Sequence, residues 1–235
     1  MRADHDSYAA SHTAPQTLEP PAIPRDWTFR SRDVADTFDS HVREQLPWYD
    51  LASGALAHLA RHYLPERGRL YDVGASTGNL GRLLADTLEA RAAIYTAVDS
   101  SPEMAERYRG PGVLEVADAV TYAFQPFDVA VLNLTLSFVP VADRDELLER
   151  LEAARRPGGA ILVLDKADAA AGYLGTVLRR LTLAGKAAAG ADADGIVAKE
   201  LALGGVQRPV DPDRLPGEPR QFFRFGEFAG WIIDS

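Results

Sequence analysis

From Gly68 onward, short apolar runs of strand character alternate with stretches of helical periodicity, and this alternation constrains the chain more than any other feature. The strand-like runs are RLYDVG (69–74), AAIYTAVD (92–99), VLEVAD (113–118), DVAVLNLT (128–135) and AILVLD (160–165). Between the first two, Leu80, Leu83, Leu84 and Leu88 fall on one face of a helix that begins near Gly78. Leu147, Leu148 and Leu151 mark another helix, capped by Asp143 or Asp145 and stopped by Pro157-Gly158-Gly159. Strands joined through helices run parallel, because the crossover returns each strand to the same edge in the same sense. The C-terminal stretch RQFFRFGEFAGWIID reads as two more strands that turn near Gly226–Glu227. The pattern therefore predicts an α/β fold: a doubly wound, mostly parallel seven-stranded sheet with a C-terminal antiparallel hairpin.

The flanking segments read differently. Residues 1–25 hold Pro15, Pro20, Pro21 and Pro24 among small and polar residues, and are expected to be a flexible N-terminal arm. A helix from about Asp33 to Leu46 should stop at Pro47, and a second from about Leu51 to Tyr63 should stop near Pro65. Gly172–Lys186 has the spacing of a helix, with Leu174, Val177, Leu178 and Leu181 apolar and Arg179, Arg180 and Lys186 solvated. Residues 190–220 are rich in Gly, Pro and Asp and are expected to be irregular.

Composition removes several classes of function. No apolar run approaches the roughly 18–20 residues that a membrane span needs, and none follows the polar N-terminus as a secretory signal would. The absence of cysteine excludes disulfides, thiolate nucleophiles and cysteine-based metal sites, and fits a cytoplasmic location. No metal site is expected. A net charge of −9 opposes docking on bare nucleic acid, so a small-molecule substrate is favoured.

The segment YDVGASTGNLG, which ends the first strand and opens the first helix, carries the chemistry. Open parallel sheets bind ligands beyond the carboxyl ends of their strands. Gly74 and Gly78 permit a tight turn against which a ligand can lie, and the helix start offers unpaired amides. The order G-x-S-x-G-x-x-G lacks the spacing of a dinucleotide loop. It does match the G-x-S-x-G nucleophile elbow, but an α/β-hydrolase needs its histidine downstream of the serine. His5, His12, His41, His58 and His62 all lie upstream. An S-adenosylmethionine loop fits better, because no phosphate must be held and Asp72 can face the positively charged methionine end. Asp99 ends the second strand, where it can accept hydrogen bonds from both ribose hydroxyls, and Asp118-Ala119 ends the third, within reach of adenine. A lone strand-end aspartate is more often a cap; three beside one glycine-rich turn favour a site.

With these parts in hand, the sequence resembles the class I methyltransferases over about residues 36–166 through YDVGASTG, AVDSSPEMAERY, VADA, FDVAVLNLTLSFV and RPGGAILVLDK. It is most similar to the carboxy-S-adenosylmethionine synthase group that serves wobble-uridine modification of tRNA. FDSHVREQLPWYD, VLNLTLSF and FFRFGEFAGWI add to that likeness. The resemblance implies a Rossmann-like methyltransferase domain over residues 26–235, with helices in 26–66 covering the cofactor and a variable substrate-side segment at 168–220. It implies that Tyr49 closes over the sulfonium region and that Gly74, Ala75 and Ser76 line the methionine moiety. Asp99 and Ser100 would take the ribose, Asp118 and Ala119 the adenine, and Asn133 the methionine end. Asp72, Gly78 and Met104 complete the expected cofactor set, and a homodimer is the expected assembly.

One departure redirects the function. The synthases hold the extra carboxylate of their cofactor with an arginine after the fifth strand, where this chain has Lys199 and Glu200. A carboxylate cannot accept another carboxylate without a proton or a neighbouring cation, and lysine lacks the planar fork of arginine. Methyl transfer from S-adenosylmethionine to a small acceptor is therefore the first expectation. A synthase using a carboxylated derivative and a non-catalytic cofactor-binding protein are the alternatives. Tyr49, Lys166, Lys199, Glu200 and Arg208 are the candidates for the acceptor side, and His41 or Arg43 could also face the substrate. No catalytic residue is assigned, because a nucleophilic acceptor needs no general base.

Overall fold

The computed structural model describes residues 28–29, 31–168 and 171–234; the expected arm at 1–25 lies outside them. Two helices come first, α1 (Arg32–Gln45) and α2 (Tyr49–Tyr63). Then follow β1 (Arg69–Val73), α3 (Asn79–Ala90), β2 (Ile94–Asp99), a short α4 (Pro102–Glu106), β3 (Leu114–Val116) and β4 (Phe127–Asn133). The second half comprises α5 (Arg144–Ala154), β5 (Arg155–Lys166), α6 (Gly172–Ala188), α7 (Ala193–Ala202), β6 (Arg220–Phe225) and β7 (Phe228–Ile233). The strands form one seven-stranded sheet in the order β3-β2-β1-β4-β5-β7-β6. The pairs from β3 through β5 are parallel, and β7 runs antiparallel to both β5 and β6. The predicted doubly wound sheet and its C-terminal hairpin are both present.

Side-chain alternation divides the sheet between two cores. Leu70, Val129, Val131, Leu162 and Leu164 pack with α2 and α3 on one face, while Tyr71, Val73, Ala130, Leu132, Ile161 and Val163 pack with α5 on the other. Strands buried on both faces read as unbroken apolar runs, which explains why β4 and β5 were so visible in the sequence. Asp72 interrupts β1 on the α2–α3 face. A carboxylate there is buried at the sheet's switch point, the position that parallel folds use for ligands.

Three sequence expectations are corrected. Pro157-Gly158-Gly159 does not stop α5, which ends at Ala154; it forms an irregularity inside β5, where the register against β4 shifts. Residues 190–220 are not wholly irregular, because Asp192 caps α7 by accepting from the Gly195 amide. The leucine and valine stripe of α6 faces outward, with Leu174, Val177 and Leu181 exposed. Lys186, expected to be solvated, is buried instead. Periodicity identified the helix correctly but not which face meets the protein, since that depends on what its neighbours supply. No described helix is long and apolar enough to cross a membrane.

Candidate functional site

Two adjoining cavities open at the carboxyl edge of the sheet. The first is lined by Tyr49, Asp72, Gly74, Ala75, Ser76, Asn79, Asn133 and, on its far side, Lys166, Lys186, Lys199 and Glu200. The second is lined by Asp99, Ser100, Asp118 and Ala119. Phe29, Gly74, Leu134 and Phe138 belong to both walls, so the two cavities are neighbours across a shared wall of the cleft. Ten of the twelve expected cofactor residues face it; Gly78 and Met104 do not. Gly78 sets the turn with φ 86° at the start of α3, and Met104 is fully buried, with its sulfur 3.4 Å from the Ser76 hydroxyl.

Backbone geometry at the turn is specific. Gly74 has φ 76°, and a Cβ there would stand 2.3 Å from Thr135 Oγ1, so only glycine fits. Thr135 donates to the Val73 carbonyl at 2.8 Å, tying the ends of β1 and β4 together. Ser76 and Leu134, neither of them glycine, are held at φ 50° and 58°. Both line the cleft, and strained conformations of this kind persist where surrounding structure enforces them.

Asp99 is held as a preset acceptor. Its two oxygens accept from the Ser76 amide at 2.8 Å and the Ser101 amide at 2.9 Å. Burial raises its pKa while these amide bonds oppose the shift. Asp118 caps its own turn, accepting from the Val120 amide at 2.9 Å, and Ala119 stands beside it in the wall. From the N-terminal side the Phe29 carbonyl accepts from Ser101 Oγ at 3.0 Å, and the Phe29 ring meets Phe138 edge-on at 4.8 Å.

The first cavity is charged at opposite sides. Asp72 is buried with Tyr95 Oη donating at 2.6 Å; burial pushes its pKa up to about 7, with Asp99 contributing. Tyr49 begins α2 after the Pro47-Trp48 corner, and Trp48 is wedged against Phe223, Phe225 and Phe228 of the hairpin. Arg43 lies 5.5 Å over the Tyr49 ring and pairs with Asp50, so it borders the tyrosine and not the cavity. Burial raises the Tyr49 phenol to about 12, which keeps it protonated at neutral pH. Across the cavity, Glu200 accepts from Lys186 at 2.7 Å and stands 3.8 Å from Lys166. Burial works to raise Glu200, but Lys186, Lys166 and Arg179 together hold it low. Burial and Lys186 bring Lys199 down to about 7, and burial with Lys199 and Lys186 lowers His41, one of the α1 residues that line the cavity.

Three buried amide atoms lack a hydrogen-bond partner among the described residues and also belong to cavity-lining side chains: Gln45 Oε1, Asn79 Nδ2 and Asn133 Oδ1. Unpaired buried amides are costly, so a ligand that supplies both donors and acceptors would complete them. Sequence reasoning found Asn133 but missed Gln45, Asn79 and Lys186. Asn79 was detectable as the polar residue opening α3 directly after Gly78; the other two depend on how helices pack. Arg208 is exposed and lines neither wall, its amide donating to the Ser137 carbonyl at 2.8 Å. Of the α6 basic residues, Arg179 pairs with Glu200 and Glu227, Lys186 is buried and Arg180 is exposed. Among the described residues no group of acids and histidines could hold a metal ion.

Comparison with known proteins bears on the fold and on the region from β1 to β5. A family model described as a methyltransferase domain matches residues 71–161. The carboxy-S-adenosyl-L-methionine synthases of Yersinia pestis (strain Pestoides F) and Yersinia pseudotuberculosis serotype O:1b are 30% identical over 162 residues. That alignment takes in 65% of this chain and spans 60% of the length of each synthase. Among solved structures, human N-acetylserotonin methyltransferase in complex with its cofactor aligns with a TM-score of 0.55 at 14% identity, over 87% of this chain and 56% of the other. At that identity the likeness is one of fold.

Proposed function

We propose that the chain carries a class I S-adenosylmethionine-dependent methyltransferase domain, whose cleft binds S-adenosylmethionine and directs its methyl group to a small acceptor in the lysine-lined cavity. The supporting observation is the set of unpaired amide atoms on Gln45, Asn79 and Asn133. An amino-acid end has an ammonium to donate and a carboxylate to accept, and these atoms offer the matching partners. Asp72 would face the positive charge, and Gly74, Ala75 and Ser76 would lie along the methionine moiety. Asp99 and Ser100 would take the ribose hydroxyls, Asp118 and Ala119 the adenine, and Tyr49 would flank the sulfonium. When bound, the cofactor supplies a methyl group already activated toward nucleophiles. The protein's task is then to align the acceptor and exclude water, which suits the apolar walls of Phe29, Leu134, Phe138 and Phe228.

Asp72 makes this reading testable by pH. A cation beside it favours the ionised carboxylate, so binding below pH 7 must release a proton. Cofactor affinity should therefore rise as pH is raised toward about 7, by at most roughly tenfold per unit, and level off above it. In Asp72→Asn this rise should disappear. Calorimetric titration at pH 5.5, 6.5 and 8 checks it, and a wild-type affinity that is flat over this range would remove Asp72 from the cofactor's charged end. The same raised pKa has the opposite sign for the empty protein. The folded state binds the extra proton between the unfolded and folded pKa, so Asp72 lowers stability progressively as pH rises from about 4 to 7.

A second reading is favoured by the 30% identity to the synthases: a carboxylated S-adenosylmethionine as product or cofactor. Mass spectrometry of the ligand that copurifies separates the two, because the carboxylated form is heavier. A cytoplasmic homodimer belongs with either reading, and analytical ultracentrifugation tests the dimer.

A further inference from the structure

Asp72 is a buried acid of the cleft, and its carboxylate accepts a hydrogen bond from a side chain that the sequence does not connect to the site, Tyr95. Parallel pairing sets Ala97 of β2 beside Asp72, and Tyr95 lies two residues earlier on the same face. Ala97 is small, and Gly81 of α3 leaves room for the phenol: a Cβ there would stand 2.7 Å from Tyr95 Oη. The ring packs against the cluster of Ala75, Ala97 and Leu114, and its hydroxyl reaches Asp72 at 2.6 Å. That length is typical of a hydroxyl on an ionised carboxylate, about 2.5–2.7 Å. Phenylalanine would fill the same apolar space equally well, so the hydroxyl serves the acid. Behind it stands Tyr108, which donates to the Pro111 carbonyl at 2.9 Å and is also within hydrogen-bond reach of Tyr95.

Burial and Asp99 both favour the protonated form of Asp72, and Tyr95 is the neighbour that opposes them. Tyr49 of α2 and Tyr108 also feel Asp72, and Arg82 of α3 acts on Tyr108. His41 of α1 and the lysines of β5, α6 and α7 line the same cavity. We propose that Tyr95 is a positioning residue of the cleft, whose phenol holds the Asp72 carboxylate ready for a cationic ligand. Which cation it meets rests on the cofactor reading; the hold of Tyr95 on Asp72 does not. An ionised Asp72 attracts a sulfonium or an ammonium directly, whereas a protonated one must first release its proton, which weakens binding below the midpoint of its titration. Without the hydroxyl, burial and Asp99 act unopposed. The midpoint then rises by about one unit, the size of one hydrogen bond to a charged group.

The test uses the full chain as wild type and as Tyr95→Phe. NMR of carboxyl-labelled aspartate follows the titration of Asp72 without any ligand, its signal being the one that Asp72→Asn removes. Calorimetry with S-adenosylmethionine at pH 6.5 and 8 reads the binding. In Tyr95→Phe the Asp72 midpoint should move up by about one unit, and affinity should fall about eightfold at pH 6.5 but only about twofold at pH 8. An unmoved midpoint, or a loss of equal size at both pH values, overturns the proposal and leaves Tyr95 a packing residue. The wild-type chain supplies a measurement that needs no variant of Tyr95 to fold. The hydroxyl-bearing carbon of Tyr95 should shift with the same midpoint as Asp72, near pH 7, and a signal flat across that range overturns the proposal as well. If the Asp72 midpoint moves in Tyr95→Phe while the wild-type chain binds no S-adenosylmethionine at either pH, the role of Tyr95 stands and the cofactor reading falls instead.

Discussion

Replacing Asp99 by alanine will weaken S-adenosylmethionine binding by tenfold or more while the protein stays folded. The carboxylate is the one group at the end of β2 that can receive two hydroxyls at once, and the Ser76 and Ser101 amides hold it in place. Hydrogen bonds to a charged group contribute about 1.5–3 kcal/mol each, and every 1.4 kcal/mol is about tenfold in affinity. Alanine also releases the Ser76 amide, loosening a turn already held at positive φ, so the effect should exceed the loss of one bond. Asp99→Asn keeps one acceptor and should fall between wild type and alanine. Titration calorimetry reads the affinity, and a melting curve confirms that the sheet survives. Unchanged affinity in Asp99→Ala would detach this residue from the cofactor.

The second large effect concerns stability. Arg144, at the start of α5, is buried and donates to the carbonyls of Val139, Ser137, Arg208 and Pro209 at 2.8–3.1 Å. One guanidinium thus fastens the loop after β4 to the segment that follows α7, and Phe138 and Gln207 of those two stretches line the cleft. Burial lowers the Arg144 pKa, while Asp165 close by supports its charge. Methionine at this position fills similar volume but removes the donor from four carbonyls, of which only that of Ser137 keeps another, the Arg208 amide, and a carbonyl left unpaired costs about 1–3 kcal/mol where water cannot enter. Because some of these carbonyls will reach water, Arg144→Met should cost about 3–4 kcal/mol in total, which lowers the melting temperature by roughly 10 °C in a chain of this size. Denaturant unfolding monitored by circular dichroism measures it. A change below about 1 kcal/mol would mean that the two segments are held together by other contacts.

How far the sequence anticipated the molecule depends on the range of the interactions involved. The strands were legible because their burial on both faces writes continuous apolar runs such as FDVAVLN, which needs no knowledge of the partner strand. The turn at Gly74–Gly78 was legible because its glycines are demanded locally, one by the approach of Thr135 and the other by a left-handed start to α3. The acids at the strand ends followed from the topology alone. Lys186 was misread for the opposite reason. A lysine on a helix is normally solvated, and only the arrival of Glu200 from α7 gives it a partner inside the protein. The same holds for Pro157-Gly158-Gly159, where helix-stop residues instead relieve β5, whose Gly159 lies against the Asp128 carbonyl. Most of the wall formed by β1, β2 and their turns was therefore accessible from local pattern, whereas the lysine-rich side came from helices whose packing no local pattern records.

The central claim is that the two adjoining cavities are a single cofactor slot, and a crystal structure of the chain with S-adenosylhomocysteine tests it most directly. The adenine should lie beside Asp118 and Ala119, the ribose hydroxyls within hydrogen-bond distance of Asp99, and the amino-acid end among Asn79, Asn133 and Gln45. A nucleoside bound elsewhere on the sheet, or crystals grown in saturating ligand whose cleft contains only water, would contradict the account.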